Sequence, residues 1–371
     1  MSAVPLLLQA RLDALAVALQ GNVASSVFDA LYERQGEALQ LGTPVAYDAA
    51  GIPFQLGLKG ASGKPFCLSN ADLSILVGLD PHEYCVVLTF RAVFLATTTI
   101  EAVQDLTKRL AHHFLSNEPR AFRVRRVDLC ADVTGVVFTS EDRESFVGRA
   151  RGFVRQETRD VSADGSTRFT GLSIAMGNPL SARLYDKTEE LRVKFDAEHE
   201  KRQTEEHTLR SAGWDGESSV WRLEFQIRGD ALSELNARDL MTLADRLDPI
   251  WNYLTGAPPR GRGAWLRLID RASASRKERC SLDARWLPFQ QARFNRDSLL
   301  PAVRQDARRG GVPLANALGN MLSFLAASGK LSEASGWLPE RVIAEDFFRL
   351  TEAIVSDPGL VKRYVEQRDG T

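Results

Sequence analysis

Three stretches of the chain alternate apolar and polar residues with a period of two, and this pattern predicts strands that each bury one face. In Arg126–Val133 the apolar positions are Val127, Leu129, Ala131 and Val133, opposed by Arg126, Asp128, Cys130 and Asp132. In Val220–Arg228, Trp221, Leu223, Phe225 and Ile227 oppose Arg222, Glu224, Gln226 and Arg228, and Ser181–Lys187 sets Ala182, Leu184 and Asp186 against Arg183, Tyr185 and Lys187. Successive strand side chains point to opposite faces, so an antiparallel sheet with one face on the core gathers the polar sets on the other. That face then carries carboxylates, a tyrosine and several guanidinium groups.

The rest of the chain predicts helices against this sheet. Residues 1–40 read as helix ended by Gly42-Thr43-Pro44, with Leu6–Leu19 as its amphipathic start. Ile52–Leu58 and Tyr84–Leu95 have strand composition, with Gly60, Gly63, Pro65, Gly78 and Pro81 as turn markers between them. Thr97–Leu115 is expected to be a helix capped at Thr98 or Thr99, Glu141–Gln156 a second, Asp186–Arg210 a long charged third and Asp230–Leu254 a fourth. Arg168–Gly177 follows a tight turn at Asp164-Gly165. The order predicts an α+β fold, an antiparallel sheet backed by helices. Gly256–Gly263, with two prolines and three glycines, is the expected linker. The expected domains are therefore a helical extension over 1–45, a catalytic palm-like domain over 46–263, and a helical C-terminal module over 264–371.

With 371 residues, 44% hydrophobic and 26% charged, the chain can bury a sizeable core. No apolar run approaches the roughly 20 residues that span a bilayer, and the start has neither a basic segment nor a small-residue cleavage site, so the expectation is a cytoplasmic protein without a membrane partner. Cys67, Cys85, Cys130 and Cys280 stand singly, which excludes a C-x-x-C zinc ribbon. The net charge of −1 hides clusters of basic residues at Arg120–Arg126, Arg143–Arg159 and Arg260–Arg279, suited to phosphate contacts. No G-x-x-x-x-G-K-[ST] segment points to a nucleotide-driven motor.

The segment Thr170–Lys187, with Gly171, Ser181 and then Arg183, Tyr185 and Lys187 as R-x-Y-x-K, resembles an element of the replication initiation factors of rolling-circle plasmids and filamentous phages, a family that includes conjugative relaxases. Arg126-Val127-Asp128 with Asp132 resembles that family's acidic strand, Trp221–Glu224 its R-x-E strand, and Trp251–Thr255 its W-x-Y-x-T close. The likeness covers roughly residues 80–270 and departs from the family at Ser173–Asn178, where relatives carry an aromatic residue and a Gly-Ser pair. It implies an enzyme that nicks one strand of origin DNA, stays joined through a phosphotyrosine, and leaves a 3′ hydroxyl for a polymerase, with a host helicase as a further partner. The histidines form no His-x-His pair, so the two-histidine metal site of the other large class of such initiators is missing.

Under this reading Tyr185 is the nucleophile, and Arg183 and Lys187 on the same strand face lower its pKa and hold phosphate oxygens. Asp128, Asp132 and Glu224 are the candidate ligands for Mg²⁺ or Mn²⁺. Asp128 and Asp132 stand about 13 Å apart on a regular strand, so Asp128 with Glu224 is the favoured pair and Asp132 supports them or orients DNA. Arg126, Arg222 and Arg228 are the expected DNA contacts. The alternatives are a half-buried structural tyrosine, cross-strand salt bridges from the acids to Arg126 or Arg222, a non-cleaving DNA-binding regulator, and a metal-dependent nuclease without a covalent intermediate.

Overall fold

A computed structural model describes residues 5–78, 84–149, 155–161, 167–194, 199–257, 263–273 and 280–294. Strand β1 (Leu6–Gln20) is followed by helix α1 (Ser25–Leu41), and four short strands come next: β2 (Val45–Ala49), β3 (Ile52–Leu56), β4 (Phe66–Ser69) and β5 (Leu73–Val77). Strand β6 (Tyr84–Phe90), helices α2 (Ala92–Thr97) and α3 (Ile100–Phe114), and strand β7 (Ala121–Thr134) complete the first half. The second half runs through β8 (Phe146–Gly148), β9 (Arg155–Val161), β10 (Thr167–Ile174), β11 (Leu180–Asp186), α4 (Lys187–Lys194), α5 (His199–Ser211), β12 (Val220–Arg228), α6 (Asp230–Glu234), α7 (Ala244–Thr255), β13 (Leu266–Leu268) and α8 (Leu287–Gln290). Eleven strands form one antiparallel sheet in the order β2-β3-β4-β5-β6-β1-β7-β12-β11-β10-β9. This is the α+β class expected from the alternating strands.

One face of the sheet is the core. The apolar sets of β7 and β12 bury Val127, Leu129, Ala131, Val133, Leu223, Phe225 and Ile227 together with Leu31 of α1, Leu110 of α3 and Trp251 of α7. Burying each such side chain contributes roughly 1.5–3 kcal/mol, which fixes the register and hence which residues share the opposite face.

The largest departure from expectation is at the N-terminus, where residues 6–20 form a central strand between β6 and β7 instead of a helix. The reason is a β-bulge. Leu12 pairs with Leu129 and Ala14 with Asp128, so Asp13 is an extra residue, and Leu12 and Leu15 both face the core three positions apart. With Leu8 and Leu19 that spacing imitates a helix. Strand β6 stops at Phe90 and α2 takes up the rest of the expected Tyr84–Leu95 strand. Among the described residues of Glu141–Gln156 the expected helix is also absent: a 3-10 turn at Ser140–Ser145 leads into β8, which pairs with β13 more than a hundred residues later. Local spacing cannot announce so distant a partner.

The described residues beyond the expected boundary at residue 263 pack against the elements before it. Trp265, Leu266, Leu268, Trp286 and Phe289 lie in the same core as Trp251 and Phe225. The indole of Trp286 donates to the Thr255 carbonyl and that of Trp251 to the Phe289 carbonyl. The W-x-Y-x-T segment thus anchors the chain that follows it. The tight turn at Asp164-Gly165, most of the linker and the helices expected beyond residue 294 lie outside the described residues.

Candidate active site

The register of β11, β12, β7 and β1 arranges the polar face as a grid. One row is Tyr185, Arg222, Asp132 and Gln9; the next is Arg183, Glu224, Cys130 and Arg11; the third is Ser181, Gln226, Asp128 and Ala14. Tyr185 and Glu224 are therefore diagonal neighbours, as are Glu224 and Asp128, at a cross-strand spacing of about 7–8 Å between backbones that long side chains close easily. The Tyr185 hydroxyl donates to Glu224 Oε2 at 3.3 Å, and Arg183 Nη2 donates to Glu224 Oε1. Arg126 Nε donates to Asp128 Oδ1 at 2.9 Å. Arg126 and Arg183 are each 43% exposed, whereas Asp128 and Glu224 are almost fully covered.

Tyr185 is half-buried beside a cavity of about 340 Å³ lined also by Thr158, Ser173, Arg183 and Glu190. Directly across from it on β10 is Gly171, where an added Cβ would stand 2.8 Å from the Leu184 carbonyl and 3.0 Å from Tyr185 Cβ. A glycine in a strand marks such a close approach.

Electrostatically the site differs from the expectation. Burial, reinforced by Glu224 and Glu190 and opposed by Arg222, pushes the Tyr185 phenol well above its usual range. The net shift is upward instead of the expected downward one: Arg183, though attracted to Tyr185, is engaged by Glu224, and Lys187 has left the strand. Asp186 accepts from the Glu189 N–H and turns the chain into α4, where the Lys187 ammonium bonds Glu190 at 2.8 Å. Glu224 is itself pushed up, first by burial and then by the neighbouring charges of Asp13 and Asp128, against the pull of Arg183. A carboxylate so raised is a better proton acceptor for the phenol it touches.

Arg222 and Asp132 belong beneath this surface rather than on it. Arg222 is 1% exposed; its Nε and Nη2 grip Asp132 at 2.7 and 2.8 Å, Nη1 reaches Asp13 at 3.1 Å, and Nη2 reaches Glu205 at 3.4 Å. This corrects the assignment of Arg222 as a DNA contact. Gln9 holds the Oδ2 of Asp132 as well, so Asp132 is committed to the cross-strand pairing that the sequence left open as an alternative. No bulge shortens its distance from Asp128, because β7 and β12 pair without a shift from 126 to 134.

Two residues of this network escaped the sequence reading. Asp13 was hidden by the helical spacing around its own bulge. Glu205 on α5 forms a two-oxygen pair with Arg11 at 2.6 and 2.8 Å and so clamps the helix over the sheet, beside an apolar contact of Leu8, Leu191, Leu209 and Val220. Burial raises the Glu205 carboxyl, but Arg222, Lys187 and Arg11 together outweigh that and hold it at about 2. A carboxyl depressed from its ordinary range contributes stability in full above about pH 4.5 and loses it as pH falls toward 2; the size is on the order of 3 kcal/mol. Glu205→Gln is expected to lower stability at neutral pH by that order and to flatten the fall of stability between pH 5 and 2, as measured by urea unfolding.

Carboxylate oxygens suit a hard divalent cation, and Mg²⁺ is commonly held by one or two carboxylates with the remaining positions taken by water and substrate phosphate. Asp128 and Glu224 fit that description, and the mutual repulsion that raises Glu224 is what a cation would relieve. Among the described residues no three His, Cys, Asp or Glu side chains converge as a ready-made metal cage.

The chain matches no protein-family model and no curated protein. Among solved structures it is similar to a rolling circle replication initiator protein from Geobacillus stearothermophilus. The likeness covers 76% of this chain and 95% of the other at 15% identity, with a TM-score of 0.45.

Proposed function

We propose that this protein is a rolling-circle replication initiator or relaxase that nicks one strand of origin DNA with Tyr185. The observation that supports it most is the contact of the Tyr185 hydroxyl with Glu224, set between the half-exposed Arg183 and Arg126, with Tyr185 and Arg183 lining a cavity. In this reading the phenolic oxygen attacks the scissile phosphorus, the bond from phosphorus to the 3′ oxygen breaks, and the products are a 5′-phosphotyrosine and a free 3′ hydroxyl. The phenolic proton passes to Glu224, which returns a proton to the departing 3′ oxygen. Arg183 and Arg126, released from their carboxylates, hold the non-bridging oxygens of the phosphate. Mg²⁺ or Mn²⁺ on Asp128 and Glu224 supplies Lewis-acid polarisation of the phosphate when bound. Origin DNA is the partner, a host helicase a further one, and the cytoplasm the compartment.

Incubation with supercoiled origin plasmid and Mn²⁺ is expected to give nicked circles carrying protein on the 5′ end, and Tyr185→Phe is expected to give neither. The raised phenol favours one competing reading, a metal-dependent nuclease in which water attacks and Tyr185 only positions Glu224. Nicked circles without attached protein, made equally well by Tyr185→Phe, would establish that reading instead.

A further inference from the structure

From Arg183 and Arg126 at the site the polar face continues into further guanidinium groups, Arg228, Arg123 and Arg125, that the proposed chemistry does not use. A second bulge produces this row. On β7, Arg126 pairs with Ala16 and Val124 with Val17, so Arg125 is the extra residue and Arg123, Arg125 and Arg126 are brought to one side of the strand. Arg126, paired with Asp128, stands directly opposite Arg228 of β12, which donates to the Gly177 carbonyl, so two guanidinium groups share one carboxylate here and leave positive charge over. On the other flank β1 offers only Ala16 and Ala18 across from Arg126 and Arg123, so no carboxylate answers them there. Asp239, bridged to Arg123 through the backbone, turns its carboxylate to the Met241 N–H.

At the far end Tyr84 gathers two of these groups. The guanidinium carbons of Arg123 and Arg125 lie 5.7 and 5.8 Å from its ring centroid, and Arg123 also donates to its hydroxyl. Both arginines are exposed, and among the described residues neither is ion-paired. Held on an aromatic ring, they lose less freedom on meeting an anion than free surface arginines would.

Building on the nicking reading, we infer that this row is the track of the single strand on one side of the scissile phosphate, from Arg183 past Arg126 and Arg228 to the Arg123–Arg125–Tyr84 cluster. Along β7 the row extends about 20 Å at 3.3 Å per residue, long enough for several nucleotides. Closely spaced phosphates of a single strand answer the guanidinium groups, and a base stacks on the Tyr84–arginine cluster; charge with an aromatic platform is the combination that single-strand binders use. A duplex would present its phosphates but no free base face to Tyr84.

The test uses the full chain, magnesium-free buffer and a fluorescein-labelled 20-nucleotide DNA strand, its duplex and the RNA of the same sequence. Arg123→Ala/Arg125→Ala is expected to weaken single-strand binding at least tenfold and to reduce the slope of log affinity against log salt by about 1.4, two phosphate contacts at 0.7 each. Arg123→Lys/Arg125→Lys is expected to keep the salt slope while losing part of the affinity. Tyr84→Leu is expected to weaken the single strand with little effect on the duplex, and Arg34→Ala/Lys108→Ala, exposed on α1 and α3, to change nothing. An unchanged salt slope in the alanine pair, or equal losses for strand, duplex and RNA in Tyr84→Leu, would overturn the inference. Covalent adduct formation is read in parallel reactions with Mn²⁺ added. An adduct from the wild type alongside undiminished binding by the alanine pair removes the track and leaves the nicking reading. Binding that falls as expected with no adduct from any form does the reverse.

Discussion

Glu224→Gln is expected to slow cleavage by 10²–10⁴-fold, the range over which a positioned proton acceptor acts, while single-strand binding stays within a factor of a few. The amide keeps a carbonyl oxygen within reach of the Tyr185 hydroxyl, so the contact survives but its basicity does not. A second readout distinguishes this from simple disruption. Glu224 is one of the charges that raise the Tyr185 phenol, and its loss is expected to shift phenolate titration, followed by ultraviolet absorbance, to lower pH. The same logic sets the pH dependence in the wild type: burial and like charges lift the Glu224 carboxyl above its ordinary range, so cleavage is expected to rise with pH through that raised value. Full activity of Glu224→Gln at neutral pH would remove both the proton-acceptor and the metal-holding roles of the residue.

Arg222→Met is expected to cost about 3–5 kcal/mol of folding stability, the penalty for leaving buried charges without their partner. Methionine keeps most of the volume, so the loss reports charge rather than a cavity. Arg222 neutralises the fully buried Asp132 and also reaches Asp13 and Glu205. For a domain whose total stability is of the order of 5–15 kcal/mol, that loss is severe. Adding Asp132→Asn to Arg222→Met is expected to recover part of it, since the two residues form one unit and their effects are not additive. A loss below about 1 kcal/mol in urea unfolding would show that water reaches this network and that Arg222 does not organise the floor of the site.

The central strands were legible because β7 and β12 obey the period of two without a shift from 126 to 134, and most positions there alternate between apolar and charged residues. The relation of Tyr185 to Glu224 followed from the same regularity once β11 was set beside β12. What the sequence concealed has a common cause in bulges and distant partners. Asp13 inserts one residue in β1, which shifts its apolar spacing from two to three and made it look like a helix, and Arg125 inserts one in β7 just before the regular stretch. The pairing of Arg11 with Glu205 joins residues 194 positions apart, and the docking of Trp286 and Phe289 on α7 crosses a proline- and glycine-rich segment that reads as a boundary. Lys187 belongs to the motif by spacing, but the Asp186 cap removes it from the strand face. Gly171 carried a visible signal, a glycine inside a strand, whose meaning emerged only with Tyr185 across from it.

Mass-spectrometric mapping of the protein–DNA adduct reads out which side chain carries the DNA. After reaction with a single-stranded origin oligonucleotide and Mn²⁺, followed by nuclease and protease digestion, a residual nucleotide is expected to be linked through its 5′ phosphate to the tryptic peptide containing Tyr185, on that side chain. A nucleotide attached to any other tyrosine, or quantitative cleavage with unmodified Tyr185, would contradict the nucleophilic role of Tyr185.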